Sequence, residues 1–222
     1  MQGLDFSVVL NYRDALLKGL LLTVELTVIC GILSVVFGFL IGVGRKSGPL
    51  PIRWLSTTYV EILRGTPVLI TLFWVFFCFP LIFGVEFGAV TSSIIALTLY
   101  TSAITSESFR SALSSIGPDQ HDACRALSLT PFTKMLYVIA PQTLIRAIPN
   151  LMSNLVSLFK ESALVSAVGV VELMYTAQNV SNVTARPVEV LTTAALIYFV
   201  IGWILTRLVN RVEDRLLSKI AA

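Results

Sequence analysis

The sequence predicts an all-α, polytopic membrane protein with about five transmembrane helices. Three observations lead there. Only 13% of the 222 residues are charged and 55% are hydrophobic, against about 25% charged in an average soluble domain. Mean hydropathy is +0.84. The apolar residues lie in long uncharged runs, whereas a transmembrane β-barrel alternates with period two. This composition excludes a disordered chain and argues against an ordinary soluble enzyme.

A helix needs roughly 20 apolar residues to cross about 30 Å of hydrocarbon. Residues 1–18 form an extracytoplasmic N-terminal segment ahead of the first span, expected over about 20–44. Leu26 to Gly44 holds no charge, and Glu25 is the only interruption after Leu20. This stretch exceeds a signal-peptide core of about 7–15 residues, and Asp5, Asp14 and Glu25 spoil a basic leader, so the sequence predicts a retained span. Gly31, Gly38, Gly42 and Gly44 suit close helix packing. The second span, about 60–82, rests on the uncharged run Gly65 to Val85. The third, about 88–108, rests on Phe87 to Ser106 and is rich in Ser and Thr, which join helices by hydrogen bonds or line a pathway. The fourth, about 147–171, is apolar except for Lys160 and Glu161. The fifth, about 190–208, rests on Val190 to Thr206, and a tail follows over 217–222. The connections 79–86 and 175–189 are short loops with no folded domain.

Charge asymmetry orients the chain. With the N-terminus outside and the C-terminus cytoplasmic, twelve of the sixteen Lys and Arg residues fall on the inner side, Arg215 and Lys219 among them. Arg13, Lys18 and Arg186 fall outside, and Lys160 lies within the membrane. The net charge of +3 is thus a topology signal and calls for no nucleic-acid partner. Cys30, Cys78 and Cys124 lack metal-ligand spacing, and His121 is the single histidine. No zinc site or Ser-His-Asp triad is expected.

The inner connection 111–146 reads as helix, corner, helix. Pro118 suits a first helical turn, and Gln120 to Leu127 continues it. Ser128 to Pro131 breaks it, with Thr130 as N-cap and Pro131 at the first helical position. Phe132 to Ile139 forms a second short helix, and Pro141 is expected to end it. Such short pieces need an apolar face to bury, against their own spans or in a groove on a partner.

Asp122-Ala123-Cys124-Arg125-Ala126-Leu127-Ser128-Leu129, followed by Ala140-Pro141, resembles the EAA loop of ABC-importer permeases. Ala123 and Pro141 match the family pattern, while Asp122, Cys124, Ser128 and Ala140 stand for Glu, Ala, Gly and Leu. Glu61-Ile-Leu-Arg64-Gly65-Thr66-Pro67 and Lys160-Glu161-Ser162-Ala163-Leu164 are similar to segments of the polar amino acid uptake permeases. The similarity runs from about Gly19 to about Leu216. It implies a type I importer permease fold over 19–216, in a bacterial inner membrane. It also implies a second permease subunit, identical or related, two cytoplasmic ATPase subunits, an extracytoplasmic substrate-binding protein and an amino acid substrate, all in membrane lipid. Asp122, Ala123, Cys124, Leu127, Ser128 and Leu129 would then contact the ATPase. No Gly-x-x-x-x-Gly-Lys-Ser/Thr occurs, so ATP and Mg belong to the partner ATPase, no cofactor is expected on this chain, and the chain is not an enzyme.

Lys160 and Glu161 carry the candidate substrate pathway. A mid-membrane charge costs about 2.5–3.5 kcal/mol on insertion scales. Lys160 lies roughly 18 Å along a span starting near Ile148. Adjacent helical residues point about 100° apart, so these two do not neutralise each other. Each is either an ion pair with another helix or subunit, or a group facing a polar cavity, where Lys160 meets a substrate carboxylate and Glu161 an ammonium. Ser162, Arg64, Thr66 and Glu107 join them as pathway candidates. The plainer alternatives are i, i+3 pairs, Glu61 with Arg64 and Glu107 with Arg110. The alternative function is a subunit of an ATP-independent secondary transporter or channel, which an internal repeat would signal; no clear repeat is present.

Overall fold

The computed structural model describes the backbone of residues 5–220 and the side chains of residues 5–214. The tail expected over 217–222, Arg215 and Lys219 lie outside the fully described residues, as does the start of the 1–18 segment. The described chain is helical throughout its length, with no strand. After α1 (Ser7–Asn11), α2 (Arg13–Ser47) crosses the whole bundle. Next come α3 (Leu50–Gly65), α4 (Val68–Phe73) and α5 (Phe79–Phe83), the last two joined by a π turn over Trp74–Cys78. Then α6 (Ala89–Ser114), α7 (Pro118–Ala126) and α8 (Pro131–Lys134) follow. A second π turn, Met135–Ile139, leads into α9 (Ala140–Glu161), which passes into a 3₁₀ turn over Ser162–Val168. Two helices, α10 (Leu173–Thr184) and α11 (Pro187–Ile220), close the chain.

Four stretches are long and apolar enough to cross a membrane alone: Arg13–Ser47, Ala89–Ser114, Pro131–Val168 and Pro187–Asp214. The pair Leu50–Gly65 and Val68–Phe83 makes a fifth, bent by 108°. The span expected over about 60–82 is thus a broken one, interrupted at Thr66–Pro67. Pro67 has no N–H and pushes the residue before it out of the helical region; Thr66 is extended, with φ −111° and ψ 135°. The Thr66 hydroxyl donates to the Ile62 carbonyl at 2.8 Å, covering a group the break exposes.

Two further expectations change. Pro141 does not end a helix: α8, the π turn and α9 run on without interruption. Ala140 N–H reaches back to the Met135 carbonyl, and this wider spacing relieves the clash of a proline ring with the carbonyl four residues back. The connection 175–189 is not a bare loop, since α10 fills most of it. Leu173, Ala177 and Val180 recur at helical spacing and bury against Leu16, Val190 and Ala194.

The most extensive helix pair is α2 with α6. Its seam is set by small residues. A Cβ on Gly38 would lie 2.7 Å from Thr105 Cγ2, and one on Gly42 would lie 2.8 Å from the Ser106 carbonyl oxygen. Phe39 packs edge-on against Phe109 beside them, with centroids 5.2 Å apart. A central core of Leu26, Cys30, Leu72, Leu97, Leu158 and Val165 joins α2, α4, α6, α9 and the 3₁₀ turn. Gly38 and Gly42 thus serve packing within this chain.

Replacing Gly42 by Ala forces a methyl against backbone and is expected to cost about 1–3 kcal/mol. Gly202→Ala meets only Lys160 Cε, at 3.6 Å, and is expected to be near neutral. Thermal unfolding of both variants in detergent measures the difference.

Candidate functional site

The connection between α6 and α9 folds as a fixed corner. Gly117 precedes α7 with Pro118 in its first turn. Leu129 N–H closes back on the Cys124 carbonyl at 3.1 Å and Ser128 N–H on the Arg125 carbonyl at 2.9 Å. This closure needs a left-handed residue after the helix, and Ser128 supplies it at φ +51°. A glycine takes that conformation without the penalty a Cβ adds, which gives a physical reason for Gly at this place in the EAA pattern. The Thr130 hydroxyl accepts from Thr133 N–H at 3.2 Å, so it caps α8 as the sequence predicts.

Side-chain bonds tie this corner to the bundle. Gln142 of α9 donates to Gln120 of α7 at 3.3 Å. Arg146 donates to both the carbonyl and the hydroxyl of Ser115 at the end of α6. Cys124 is 3% exposed. It faces the bundle, so the expectation that it touches a partner is corrected: the helix turns it inward. Asp122, Ala123, Arg125, Ala126 and Ser128 face outward, and Leu129 is half-buried. Leu127 is 71%, Phe132 74% and Tyr137 72% exposed. Large apolar side chains held out on a rigid corner mark an interaction surface.

Of the six pathway candidates, the fold joins Arg64 and Glu107 in one charge cluster. Glu107 on α6 receives Arg45 of α2 at 2.7 Å, Arg64 of α3 at 3.9 Å and Arg110 one turn on. The pair Glu107–Arg110 forms as the sequence suggests. The pair Glu61–Arg64 does not: Glu61 turns instead to Arg45, at 3.6 Å. Three guanidiniums and two carboxylates thus bind α2, α3 and α6 together. Beside them lies a cavity of about 250 Å³ lined by Arg64, Ile104, Glu107, Ser108, Ser111 and Asn150.

Lys160 and Glu161 stand where α9 gives way to the 3₁₀ turn. Among the described residues neither forms a salt bridge. Lys160 is exposed and runs along α11 by Gly202. Glu161 is half-buried. Its charge and that of Arg64 both reach Tyr100 of α6. Tyr100 and Glu107 are seven residues apart, about 10 Å along a helix, so the charge cluster and the Glu161 region form two tiers of one helix face region. Ser162 is fully buried and donates to the Phe159 carbonyl at 2.8 Å, holding the helix end. Thr66 sits at the α3–α4 break described above.

Glu172 was not singled out by the sequence, yet it is fully buried. Its carboxylate accepts from Met174 and Tyr175 N–H at 2.9 and 2.8 Å, capping α10, and from Tyr198 at 2.7 Å and Thr23 at 3.2 Å. One side chain thereby ties α2, α10 and α11. Its place before Leu173 and the helical pattern of Ala177 and Val180 is the signal that would have found it.

Residues 34–218 match the family of binding-protein-dependent transport system inner membrane components, and the chain belongs to that family. It is thus a multi-pass inner-membrane permease subunit of type I importer fold, and its family carries substrate across a membrane without itself being an enzyme. Among its relatives is the arginine transport system permease protein ArtQ of Bacillus subtilis, 31% identical over 217 residues, covering 97% of this chain and 99% of the relative. The probable glutamine ABC transporter permease protein GlnP of the same organism is 33% identical over 202 residues, covering 89% and 91%. A solved chain from an amino acid ABC transporter with histidines superposes with a TM-score of 0.88 at 31% identity, covering 96% of this chain and all of that one. The inward-facing MetNI methionine ABC transporter shares the fold, with a TM-score of 0.80 at 21% identity over 93% of this chain and 98% of that one.

Glu172→Ala strips four donors of their acceptor. Leaving buried donors unsatisfied costs about 1–3 kcal/mol each where no water replaces the acceptor. A loss of about 3 kcal/mol or more is expected, read as a lowered Tm of the purified subunit.

Proposed function

We propose that this chain forms half of the translocation pathway of an ATP-driven amino acid importer and couples it to a cytoplasmic ATPase through α7. The observation that carries the coupling reading is the corner itself, a short helix fastened to α9, which is in turn fastened to the end of α6, with Leu127 and Phe132 held outward. Asp122, Ala123, Leu127, Ser128 and Leu129 contact the ATPase in this reading, and Cys124 braces the helix from behind. Two ATPase subunits bind ATP and Mg, a second permease copy or relative completes the pathway, and an extracytoplasmic protein delivers substrate. The relatives named for arginine and glutamine support an amino acid as cargo. The N-terminus lies outside, because Lys46, Arg53, Arg125, Lys134 and Arg146 gather at the α7 end of the bundle.

Substrate meets the chain at the second tier. Glu161, half-buried and without a salt bridge among the described residues, takes the ammonium group, with Tyr100 beside it. Lys160 reaches a carboxylate from its exposed position, and Ser162 fixes the helix end just after them. The cluster of Arg64 and Glu107, with Thr66 at the bend above it, lies toward the α7 end and closes the path on that side. When the ATPases move α7, α9 moves with it through Gln120–Gln142 and α6 follows through the Arg146–Ser115 bond to α9, and both tiers are built on those helices.

Asp122→Lys reverses charge on the outward face of α7 without touching the bundle. Copurification with the ATPase and substrate-stimulated ATP hydrolysis are both expected to be lost; a full complex with full hydrolysis overturns the coupling reading. Lys160→Met is expected to cut uptake at least about thirtyfold, the equivalent of one charged contact of about 2 kcal/mol, while the complex still assembles. Unchanged uptake removes Lys160 from the substrate site.

A further inference from the structure

A cavity of about 370 Å³ lies behind α7, between that helix and the ends of the spans. Lys46 and Ser47 from the end of α2, His121 of α7 and Lys134 of α8 line its rim. Leu113, Pro131, Met135 and Ile139 line the rest. Leu113 and Ile139 belong to a small core with Ile116, against which Met135 packs, so the floor is firmly apolar. No carboxylate lines the cavity. Among the described residues Lys46, Lys134 and His121 form no salt bridge, although Arg45, one residue before Lys46, is engaged by two carboxylates. One wall is the π turn Met135–Ile139, a distortion that in helices often marks a functional site.

We infer that this cavity binds the headgroup of an anionic phospholipid, with the phosphate held by Lys46 and Lys134 and the carbon atoms of the headgroup and glycerol on Leu113, Met135 and Ile139. Depth argues for a lipid. The uncharged run of α2 ends at Gly44 and that of α6 at Ser106. Lys46 is two residues past the first end and Leu113 seven past the second, about 3 and 10 Å along a helix. The polar headgroup layer spans about 5–7 Å on each face of the hydrocarbon, so Lys46 lies within it and Leu113 at its outer edge. Basic pockets between helices at the membrane surface recognise such headgroups. A free inorganic anion satisfies the lysines and leaves the apolar floor uncovered.

The position gives the lipid a consequence. It wedges between the corner and the spans, touching α2, α6, α7 and the π turn that leads into α9. Occupancy stiffens the lever that the proposed ATPase coupling uses. That consequence rests on the coupling reading; lipid binding does not.

The two are separated by two measurements on the complete transporter. Native mass spectrometry after purification reads phosphatidylglycerol retained by the parent, by Lys46→Gln/Lys134→Gln and by Arg53→Gln/Arg211→Gln, whose arginines lie at the same end outside the cavity. Each lysine near the surface is worth roughly fivefold, so the lysine pair is expected to weaken retention about thirtyfold, and the arginine pair little. Equal retention by parent and lysine variant, or equal loss in both variants, overturns the site. ATP hydrolysis is then compared in liposomes of phosphatidylcholine alone, with phosphatidylglycerol added, and with inorganic phosphate added instead. Stimulation by phosphatidylglycerol in the parent and not in the lysine variant supports the wedge. Stimulation by inorganic phosphate in neutral liposomes overturns the lipid assignment. Lipid retention lost in the lysine variant with hydrolysis unaffected by lipid upholds the site and rejects its role in coupling.

Discussion

The close seam of α2 against α6 is the constraint on which the remaining structure depends. Lipid supplies no hydrophobic push between helices, so contact there comes from dispersion and hydrogen bonds at short range. Gly38 and Gly42 let the backbone of α6 approach at Thr105 and Ser106. The hydroxyl of Ser106 is turned to its own helix, donating to the Ala103 carbonyl at 2.7 Å, so it asks nothing of the partner. Below the seam the same alignment brings Arg45 to Glu107 and Val43 to the core of Leu113, Ile116 and Ile139. The charge cluster and the seat of the corner are thus consequences of one helix crossing.

Interruption of the helices is the second theme. A break in a span exposes carbonyls that lipid cannot satisfy, and such breaks persist only where protein or a polar cavity covers them. Each break here carries its own cover: Thr66 on the Ile62 carbonyl, Ser162 on that of Phe159 and Ser166 on that of Ala163. Discontinuous helices near the membrane centre are a recurrent way to bring polar groups to a solute. In this chain Arg64 stands at the α3–α4 bend and Glu161 at the end of α9.

The corner shows how local chemistry and remote contacts share one element. Pro118, Thr130 and Pro131 start its helices by rules that operate over three or four residues. Ser128 accepts a left-handed backbone because the closure onto Cys124 and Arg125 requires it. Gln142, more than twenty residues away along the chain, then ties α7 to α9, and Arg146 ties α9 to the end of α6.

Span number and order and the helical corner with its Thr130 cap were legible in the sequence, because hydropathy runs and capping rules are local; the pair Lys160–Glu161, read there as mid-span, stands at the end of α9. The bend at Thr66–Pro67 was half legible, since a proline disfavours a continuous helix at that step, but nothing local gives its 108°. Pro141 misled, since a π turn five residues long absorbed a ring that ordinarily ends a helix. Helix α10 was hidden by the polar residues Gln178, Asn179 and Asn182 on its exposed face. Glu107–Arg110 formed as its i, i+3 spacing suggested, but which charges meet across helices was decided by the tertiary structure. Glu61 faced a suitable partner one turn away in Arg64, and Glu172 drew no notice, but the rotation of each helix about its axis sent the first to Arg45 and buried the second among Thr23, Tyr198 and the start of α10. That rotation is set by contacts between residues far apart in the chain, and a sequence read in order does not contain it.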